Sequence, residues 1–261
     1  MSAPDSPASA PVAIVTGAAD GLGLAIATRL LCDGYRVVAS DINSPPIELT
    51  TAWGDHLLHP AIVDAADPDS GTTLVELAMT RFGRLDAVVN NAGIGGPGVL
   101  VENLQIDDIR QVFEVNILGT VRLCQAAIPH LKAQGSGSIV NLGSLYADEP
   151  VPEGSAYCMS KAAIKTLTQC LALELGADGI RVNAVAPGYM LTKMHLDEIA
   201  LQAARSGVAP EEQQKTLRDS VPLRRHGTGE DVANVVSWLL STESSYLTGQ
   251  TLGVNGGISF K

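Results

Sequence analysis

The sequence is short of positive charge. It holds 17 lysines and arginines against 28 aspartates and glutamates, a formal net charge of −11. Nucleic-acid binding requires a basic face that displaces the counterions of the phosphate backbone, so no nucleic-acid partner is expected. The sequence has no run of 18 apolar residues, and its first basic residue is Arg29. We therefore predict neither a membrane span nor a basic secretory leader, and we expect a soluble, cytoplasmic protein without a membrane partner.

Cysteine and aromatic residues are also few. The four cysteines are scattered with no CxxC pair, and no histidines cluster at metal-ligand spacing, so we expect free thiols and no metal site. Only 4% of the residues are aromatic, against 46% hydrophobic residues and 26 glycines, which indicates an aliphatic core with many tight turns. Residues 1–11 are mostly Ser, Ala and Pro and predict a disordered tail.

From Val12 onward, short apolar runs alternate with helical patterns. The predicted strands are Val12–Val15, Arg36–Ser40, Leu57–Val63, Leu85–Asn90, Ser138–Leu142, Ile180–Val185 and Thr251–Val254. The predicted helices are Leu22–Asp33, Pro68–Phe82, Ile106–Ala133, Ala156–Leu175 and Glu230–Leu240, the last after a Thr228/Asp231 capping pair. Strands that are apolar on both faces and alternate with helices predict an α/β fold, a Rossmann-type doubly wound parallel sheet of about seven strands with helices on both faces. One catalytic domain over residues 12–261 is expected.

The segment from Met190 to Pro222 fits this pattern less well. It contains two weak helical patches, 194–205 and 211–219, separated by Gly207 and Pro210. A long excursion inside a compact domain is more often functional than filler, so we predict a substrate lid at about residues 189–221.

A glycine-rich turn follows the first strand and predicts a dinucleotide site. Its TGxxxGxG pattern supplies the candidate residues Thr16, Gly17, Asp20, Gly21, Leu22 and Gly23. Glycines let the backbone approach a pyrophosphate, whose charge is met by the N-terminus of the following helix. A plain structural turn is the alternative for this pattern taken alone.

Carboxylates end the next two predicted strands. Asp41 is placed to accept hydrogen bonds from the adenosine ribose hydroxyls and to repel a 2′-phosphate, which favours NAD over NADP; its alternative is an ordinary turn residue. Asp64 is a candidate for the adenine amino group and equally a turn former. Asn90, Ala92 and Gly93 close the fourth strand, at the sheet edge where α/β proteins bind ligands.

Tyr157 and Lys161 are the most specific chemical signal. At i and i+4 they share one helix face, and Ser144 precedes them at the end of the fifth strand. An ammonium about 4 Å from a phenol, at an effective dielectric near 20, lowers the phenol pKa by up to about three units. No nucleophile elbow or partner histidine surrounds Ser144, so its hydroxyl suits polarisation of a substrate carbonyl better than nucleophilic attack.

Together these motifs resemble the short-chain dehydrogenase/reductase family. The resemblance rests on TGxxxGxG, NNAG at 90–93, Asn116, Ser144, YxxxK at 157–161, the Pro187-Gly188 pair and Thr192. It implies that Tyr157 moves the proton and Ser144 binds the reacting oxygen. It further implies that Lys161 holds the nicotinamide ribose and lowers the phenol pKa, and that Asn116 anchors a water relay.

The same resemblance implies cofactor contacts and an assembly. Tyr157 and Lys161 are expected to contact the cofactor, and Pro187, Gly188 and Thr192 are assigned to the nicotinamide carboxamide. Family habit predicts a homotetramer. The expected reaction is NAD-dependent interconversion of a secondary alcohol and a ketone.

The substrate is less well defined by the sequence. Segments 94–99, 145–155 and 189–205 are expected to line its pocket. Acidic residues in the second segment (Asp148, Glu149 and Glu153) and hydrogen-bonding side chains (Tyr146, Tyr189 and His195) favour a neutral sugar, polyol or small hydroxyketone, unless those carboxylates simply face solvent. Two alternatives to alcohol oxidation stay open: a cofactor-sensing protein, and a net non-redox enzyme such as an epimerase or dehydratase.

Overall fold

A parallel sheet of seven short strands organises the computed structural model, which describes residues 10–44 and 46–260. The spatial order is β3-β2-β1-β4-β5-β6-β7. The strands are β1 Val12–Thr16, β2 Arg36–Asp41, β3 Leu58–Ile62, β4 Ala87–Asn90, β5 Gly137–Leu142, β6 Ile180–Pro187 and β7 Thr251–Val254. Each predicted strand is present, with ends shifted by at most two residues. The order reverses between β1 and β4, and such a switch point opens a crevice at the strands' carboxyl ends.

Helices cover both faces of this sheet. They are α1 Gly21–Cys32, α2 Ile47–Trp53, α3 Ser70–Phe82, α4 Ile106–Phe113, α5 Gly119–Gln134, α6 Ser155–Leu175, α7 Lys193–Ser206, α8 Pro210–Ser220 and α9 Gly229–Leu240. On one face Val15 of β1 belongs to a buried cluster with α1 and α9 side chains. On the other, Ile14 belongs to a cluster with side chains of α3, α5 and α6. The predicted doubly wound α/β fold is confirmed.

One helix prediction needs correction, and one helix was not predicted. The single helix expected over 106–133 contains a π-helical segment, Glu114–Leu118, between α4 and α5. Helix α2 was not predicted; it has seven residues and no side-chain cap, which leaves little signal in the sequence. The predicted Thr228/Asp231 capping box is confirmed at the start of α9.

The segment predicted to form a lid contains two helices where two helical patches were predicted. Helix α7 ends at Gly207, whose φ of 68° is left-handed, and Pro210 opens α8. Thr192 caps the N-terminus of α7 through its side-chain oxygen. The helix therefore begins at a residue that the family resemblance assigns to the cofactor.

The predicted tail spans residues 1–11, of which residues 1–9 lie outside the described residues. Ala10 is buried, and its carbonyl accepts a hydrogen bond from Arg36 Nη2 at 3.0 Å. The carbonyl of Pro11 accepts one from Arg36 N at 2.8 Å. Ala10 and Pro11 are thus packed, and the tail prediction extends two residues too far.

Two negative findings concern the described part of the chain. None of its helices is both long and apolar enough to cross a membrane. Nor does it bring together three or more His, Cys, Asp or Glu side chains that could hold a metal ion.

Candidate active site

The glycine turn after β1 packs closely on itself. Gly17 and Gly21 have φ values of 64° and 55°, a region that residues with a Cβ rarely adopt. A Cβ at Gly23 would lie 2.0 Å from the carbonyl oxygen of Gly17, so only glycine allows this turn to enter α1. Asp20 caps α1, its carboxylate accepting from Gly21 N at 2.6 Å. Leu22, the remaining motif residue, packs partly buried on the core below.

Thr16 and Asn91 join this turn to the end of β4. The Thr16 hydroxyl oxygen accepts hydrogen bonds from Asn91 N at 3.0 Å and from Ala92 N at 3.1 Å. Asn91 Nδ2 donates back to the carbonyls of Thr16 at 2.9 Å and Gly17 at 3.0 Å. The TGxxxGxG and NNAG motifs therefore form one hydrogen-bonded unit across the switch point.

A cavity of about 290 Å³ opens beside this unit. Its lining includes seven residues predicted from sequence to contact the cofactor: Thr16, Gly17, Asp41, Asp64, Asn90, Ala92 and Gly93. The Asp41 carboxylate is fixed by Ala19 N and Asn43 N, both at 3.0 Å. Asp64 accepts from Ala66 N at 2.8 Å, so it forms a turn and also lines the cavity. The turn interpretation of Asp64 is thus supported, and its contact with the adenine amino group stays a prediction.

Asn90 links neighbouring strands beneath the crevice. Its Nδ2 donates to Asn141 Oδ1 at 2.8 Å, and Asn141 Nδ2 donates to Thr168 Oγ1 of α6 at 2.9 Å. All three side chains are buried. A buried, fully partnered polar network of this kind holds β4, β5 and α6 in fixed relation.

Asn116 sits in the π-helical segment and reaches out of it. Its Oδ1 accepts from Ile94 N at 2.8 Å, and its Nδ2 donates to Ile94 O at 3.0 Å and to Ser160 Oγ at 2.9 Å. The side chain thus bonds to the loop after β4 rather than back to its own helix. A Cβ at Gly93 would lie 3.2 Å from Asn116 Oδ1 and 3.6 Å from Lys161 Nζ, so Gly93 leaves the space in front of both groups open.

Tyr157, Lys161 and Ser144 meet at the start of α6. Lys161 Nζ lies 5.5 Å from the centroid of the Tyr157 ring and donates to the carbonyl of Leu142 at 2.7 Å. Ser144 lies close enough to the Tyr157 hydroxyl to lower its pKa through hydrogen bonding. The Ser144 oxygen also accepts from Tyr146 N at 3.1 Å. A phenol, a hydroxyl and an ammonium therefore converge at one point.

Burial is the main influence on the pKa values of Tyr157 and Lys161. Burial raises the pKa of Tyr157 to about 12, although the hydrogen bond with Ser144 acts to lower it. Burial also lowers the pKa of Lys161 to about 8. Desolvation is the largest cause of the shift in each group, and the lowering of the phenol pKa by Lys161 stays a prediction.

The loop after β6 approaches the glycine turn from the opposite side. Gly188 follows Pro187 and donates from its N to Val254 O at 3.0 Å; a Cβ on it would meet Asn255 at 2.8 Å. The Thr192 methyl would lie 3.5 Å from a Cβ on Gly21. The predicted nicotinamide segment therefore faces the predicted pyrophosphate turn.

The three expected pocket segments converge, but their acidic residues have partners. Lys165 Nζ donates to both oxygens of Asp148 at 2.7 and 2.9 Å. Glu149 accepts from Ser259 Oγ at 3.2 Å, and Glu153 pairs with Arg205. These partners weaken the expectation that the three carboxylates favour a neutral substrate.

The residues at the crevice fit a nicotinamide dinucleotide. The glycine turn gives a backbone cradle that a Cβ would fill. Asp41 offers a fixed carboxylate at the end of β2, and Lys161 brings an ammonium beside the open face of Gly93. This donor set matches what two riboses and a pyrophosphate require.

The switch-point crevice with its Ser, Tyr and Lys side chains defines an oxidoreductase of the short-chain type. A family model described as enoyl-(acyl carrier protein) reductase matches residues 17–259. The chain belongs to the short-chain dehydrogenase/reductase family, whose members act on alcohols and ketones.

Similar proteins cover nearly the whole chain. The 3-oxoacyl-[acyl-carrier-protein] reductase FabG of Thermotoga maritima is 35% identical over 250 residues, 95% of this chain and 97% of that protein. Glucose 1-dehydrogenase 2 of Bacillus subtilis is 34% identical over 253 residues, 95% of this chain and 94% of that protein. The crystal structure of NAD⁺-bound xylitol dehydrogenase has a TM-score of 0.85 at 32% identity, covering 95% of this chain and 98% of the other.

Three residues at the site were missed by sequence reasoning. Asn91 lies inside the NNAG motif and Ser160 inside YxxxK, so their positions were visible although their contacts were not. Ser160 Oγ donates to Tyr157 O at 2.7 Å and accepts from Asn116, which joins two predicted catalytic residues. Glu198 of α7 belongs to no motif, and only the fold brings it to Tyr146.

Proposed function

We propose that this protein interconverts a secondary alcohol and a ketone with NAD(H), using Tyr157 as the acid/base. The observation that carries the proposal is the convergence of Tyr157, Ser144 and Lys161 beside the switch-point crevice. A nicotinamide dinucleotide, when bound, supplies or accepts the hydride. The Tyr157 hydroxyl gives or takes the proton of the substrate oxygen, and the Ser144 hydroxyl orients that oxygen.

Lys161 and Asn116 complete the catalytic set in this proposal. The Lys161 ammonium is positioned to hold the nicotinamide ribose, since it lies beside Gly93 and is fixed by Leu142. Asn116 holds the loop after β4 in place through Ile94 and anchors the water relay that the family resemblance implies. Thr192, Pro187 and Gly188 are proposed to bind the carboxamide.

We assign NAD rather than NADP as the cofactor. Asp41 supports this assignment, because its carboxylate is held in place by two backbone amides and would meet a 2′-phosphate with like charge. The solved xylitol dehydrogenase, which contains NAD⁺, is consistent with it.

The substrate we propose is a neutral sugar, polyol or small hydroxyketone. Tyr146 supports it, with its ring centroid 6.4 Å from that of Tyr157. Tyr189 stacks on His195 at 5.3 Å, adding polar aromatic groups on the same side. The names of the similar glucose and xylitol dehydrogenases point to the same substrate class.

We further propose a homotetramer in the cytoplasm. Helix α6 leaves Met159 and Leu173 exposed, with Leu173 87% accessible, and an apolar helix face of this kind suits subunit packing. All four cysteines are free, which fits a reducing compartment. Light scattering tests the tetramer, and cell fractionation tests the cytoplasmic location.

The function is tested by an NAD-linked absorbance screen at 340 nm over polyols, aldoses, hydroxy acids and steroids. We expect turnover in the wild type and a loss of about 10²- to 10⁴-fold in Tyr157→Phe, as for removal of a general acid/base. Cofactor binding serves as the control and is expected to persist in the variant. A Tyr157→Phe protein with wild-type turnover would refute the assigned role.

A further inference from the structure

Glu198, on α7, places a carboxylate next to the catalytic residues. Its Oε1 accepts a hydrogen bond from the Tyr146 hydroxyl at 3.1 Å. Tyr146 in turn stands edge-on to Tyr157, with ring centroids 6.4 Å apart, and its backbone N donates to Ser144 Oγ. A single residue, Tyr146, thus connects Glu198 to both Tyr157 and Ser144.

The Glu198 side chain is held by a glutamine and a histidine, with no lysine or arginine among its hydrogen-bond partners in the described residues. Gln202 Nε2 donates to its Oε1 at 3.1 Å, and His195 Nδ1 lies 3.3 Å from its Oε2. Two other acidic side chains of the pocket segments differ, since Asp148 pairs with a lysine and Glu153 with an arginine. The field of Glu198 therefore reaches the site without a lysine or arginine partner, and it acts to raise the pKa of Tyr157.

Glu198 still has room for a ligand. Its side chain is 31% accessible, and a carboxylate has about four acceptor positions, of which Tyr146, Gln202 and His195 use three at most. One acceptor position remains for a hydroxyl donor. Because α7 starts at Thr192, the helix that carries Glu198 is attached to the proposed nicotinamide segment.

We propose that Glu198 determines substrate specificity: its carboxylate accepts a hydrogen bond from a second hydroxyl group of the substrate, next to the reacting carbon, and repels substrates that are anionic at that position. This inference rests on the proposed alcohol dehydrogenase function and narrows its substrate class to vicinal diols, polyols and their hydroxyketones. A site built to hydrogen-bond a substrate hydroxyl rejects analogues that lack this hydroxyl, because its polar group is then left unpaired. Repulsion between like charges then excludes carboxylates and phosphates.

Three secondary alcohols test the proposal, because they differ only in one group on the carbon next to the reacting carbon. The probes are 2,3-butanediol, 2-butanol and 3-hydroxy-2-methylbutyrate, which carry there a hydroxyl, a hydrogen and a carboxylate. In the wild type we expect kcat/KM to be highest for the diol. In Glu198→Gln, the ratio of kcat/KM for the diol to that for the acid should fall about tenfold or more, mainly through KM.

Two further variants separate specificity from structure. Asp197→Asn makes the same charge change one position earlier on α7, where Asp197 is exposed and pairs with Lys193, and should leave the ratio unchanged. Glu198→Asp retains the charge and should keep discrimination against the acid, even if Glu198→Gln proves too unstable to assay. Thermal melting of each variant reports on its folding.

The possible failures can be told apart. Glu198 has no specificity role if Glu198→Gln lowers kcat/KM equally for all three substrates, or if Asp197→Asn shifts the diol-to-acid ratio as much as Glu198→Gln does. The proposed function stands in either case. If Glu198→Asp accepts the acid as well as the diol, the charge argument is wrong. If the wild type shows no NAD-linked turnover with these probes or in the wider screen, the proposed function and the inference fail together.

Discussion

The Lys161 ammonium donates to the carbonyl oxygen of Leu142, 2.7 Å away, at the end of β5. This buried contact fixes the position of the charge next to Tyr157 but removes it from water, and burial lowers the pKa of Lys161 to about 8 from 10.5. Lys161 therefore has two opposing effects. Its hydrogen bond fixes the ammonium next to Tyr157, and its burial lowers the free energy of unfolding while the group is charged.

The first prediction concerns stability against pH. Between pH 8 and 10.5 the unfolded chain keeps the Lys161 proton and the folded chain loses it, so the free energy of unfolding should rise with pH in that window. The rise is about 3 kcal/mol at most, from about 1.4 kcal/mol per pKa unit. Denaturant titrations of the wild type and Lys161→Met at several pH values measure it. Lys215→Met, on exposed α8, is the control, and equal slopes in the wild type and Lys161→Met would contradict the prediction.

The Tyr157 phenol gives a second pH prediction. Burial raises its pKa to about 12, so without added nucleotide the group should remain protonated at pH 10 and act as a proton donor at neutral pH. The absorbance at 295 nm is measured against pH in the wild type and in Tyr157→Phe. The difference between the two curves reports the titration of this one phenol. A parallel Tyr246→Phe variant, at an exposed position, should leave the Tyr157 transition in place. A midpoint below 9 would show that Lys161 dominates after all.

Asp41 is expected to set the choice of cofactor. Asp41→Asn removes the charge and keeps one of the two oxygen acceptors that the carboxylate offers to the backbone amides of Ala19 and Asn43. We expect kcat/KM with NADP⁺ relative to NAD⁺ to rise about tenfold or more, because repulsion of the 2′-phosphate is relieved. Asp55→Asn, an exposed aspartate before β3, is the charge-matched control. An unchanged ratio in Asp41→Asn would remove the support for NAD.

Much of the fold was predictable because its signals are local. The strands are short apolar runs, and glycines close several helices, as Gly83 and Gly135 do in the left-handed conformation. Helix α2 lacks such signals. The π-helical segment around Asn116 also escaped prediction, because a shift in hydrogen-bond register changes neither composition nor the apolar pattern enough to be read.

The candidate active site was also predictable only in part. Motif residues such as Tyr157 and Lys161 were predicted with the correct side of α6 facing Ser144. The electrostatics were not, since the pKa values of these groups depend on burial, which sequence spacing does not show. Glu198 could not be found from sequence, because it meets Tyr146 across 52 positions and nothing in the local pattern of α7 marks it.

The glycine turn makes a prediction about stability. A Cβ at Gly23 would lie 2.0 Å from Gly17 O, a backbone atom that cannot rotate away. Gly23→Ala should therefore cost several kcal/mol, about 3 or more, with loss of nucleotide binding. Gly176→Ala is the matched control: it has nothing within 4 Å and a helical φ of −59°, so it should be neutral or stabilising by up to about 1 kcal/mol. Equal melting temperatures for the two variants would contradict this.

Arg205 links the three segments that line the substrate side. From the end of α7 it pairs with Glu153 and donates from Nη2 to the carbonyl of Gly98 at 2.5 Å. Glu153 has a φ of 65°, a conformation that residues with a Cβ rarely adopt, so the ion pair holds a strained turn in place. Arg205 thus holds the predicted lid at a point away from the catalytic groups.

Removing this contact should loosen the lid while leaving the chemistry intact. In Arg205→Ala we expect KM for the substrate to rise about three- to tenfold with a smaller change in kcat, since positioning is lost and the Tyr157 site is untouched. Limited proteolysis should cut residues 190–222 faster in this variant, because local opening becomes easier. Arg218→Ala, which removes an exposed pair with Asp219 on α8, controls for loss of a surface charge. A fall in kcat with unchanged KM and unchanged proteolysis would mean that Arg205 does not hold the lid, and that the segment owes its position to the Tyr146–Glu198 contact instead.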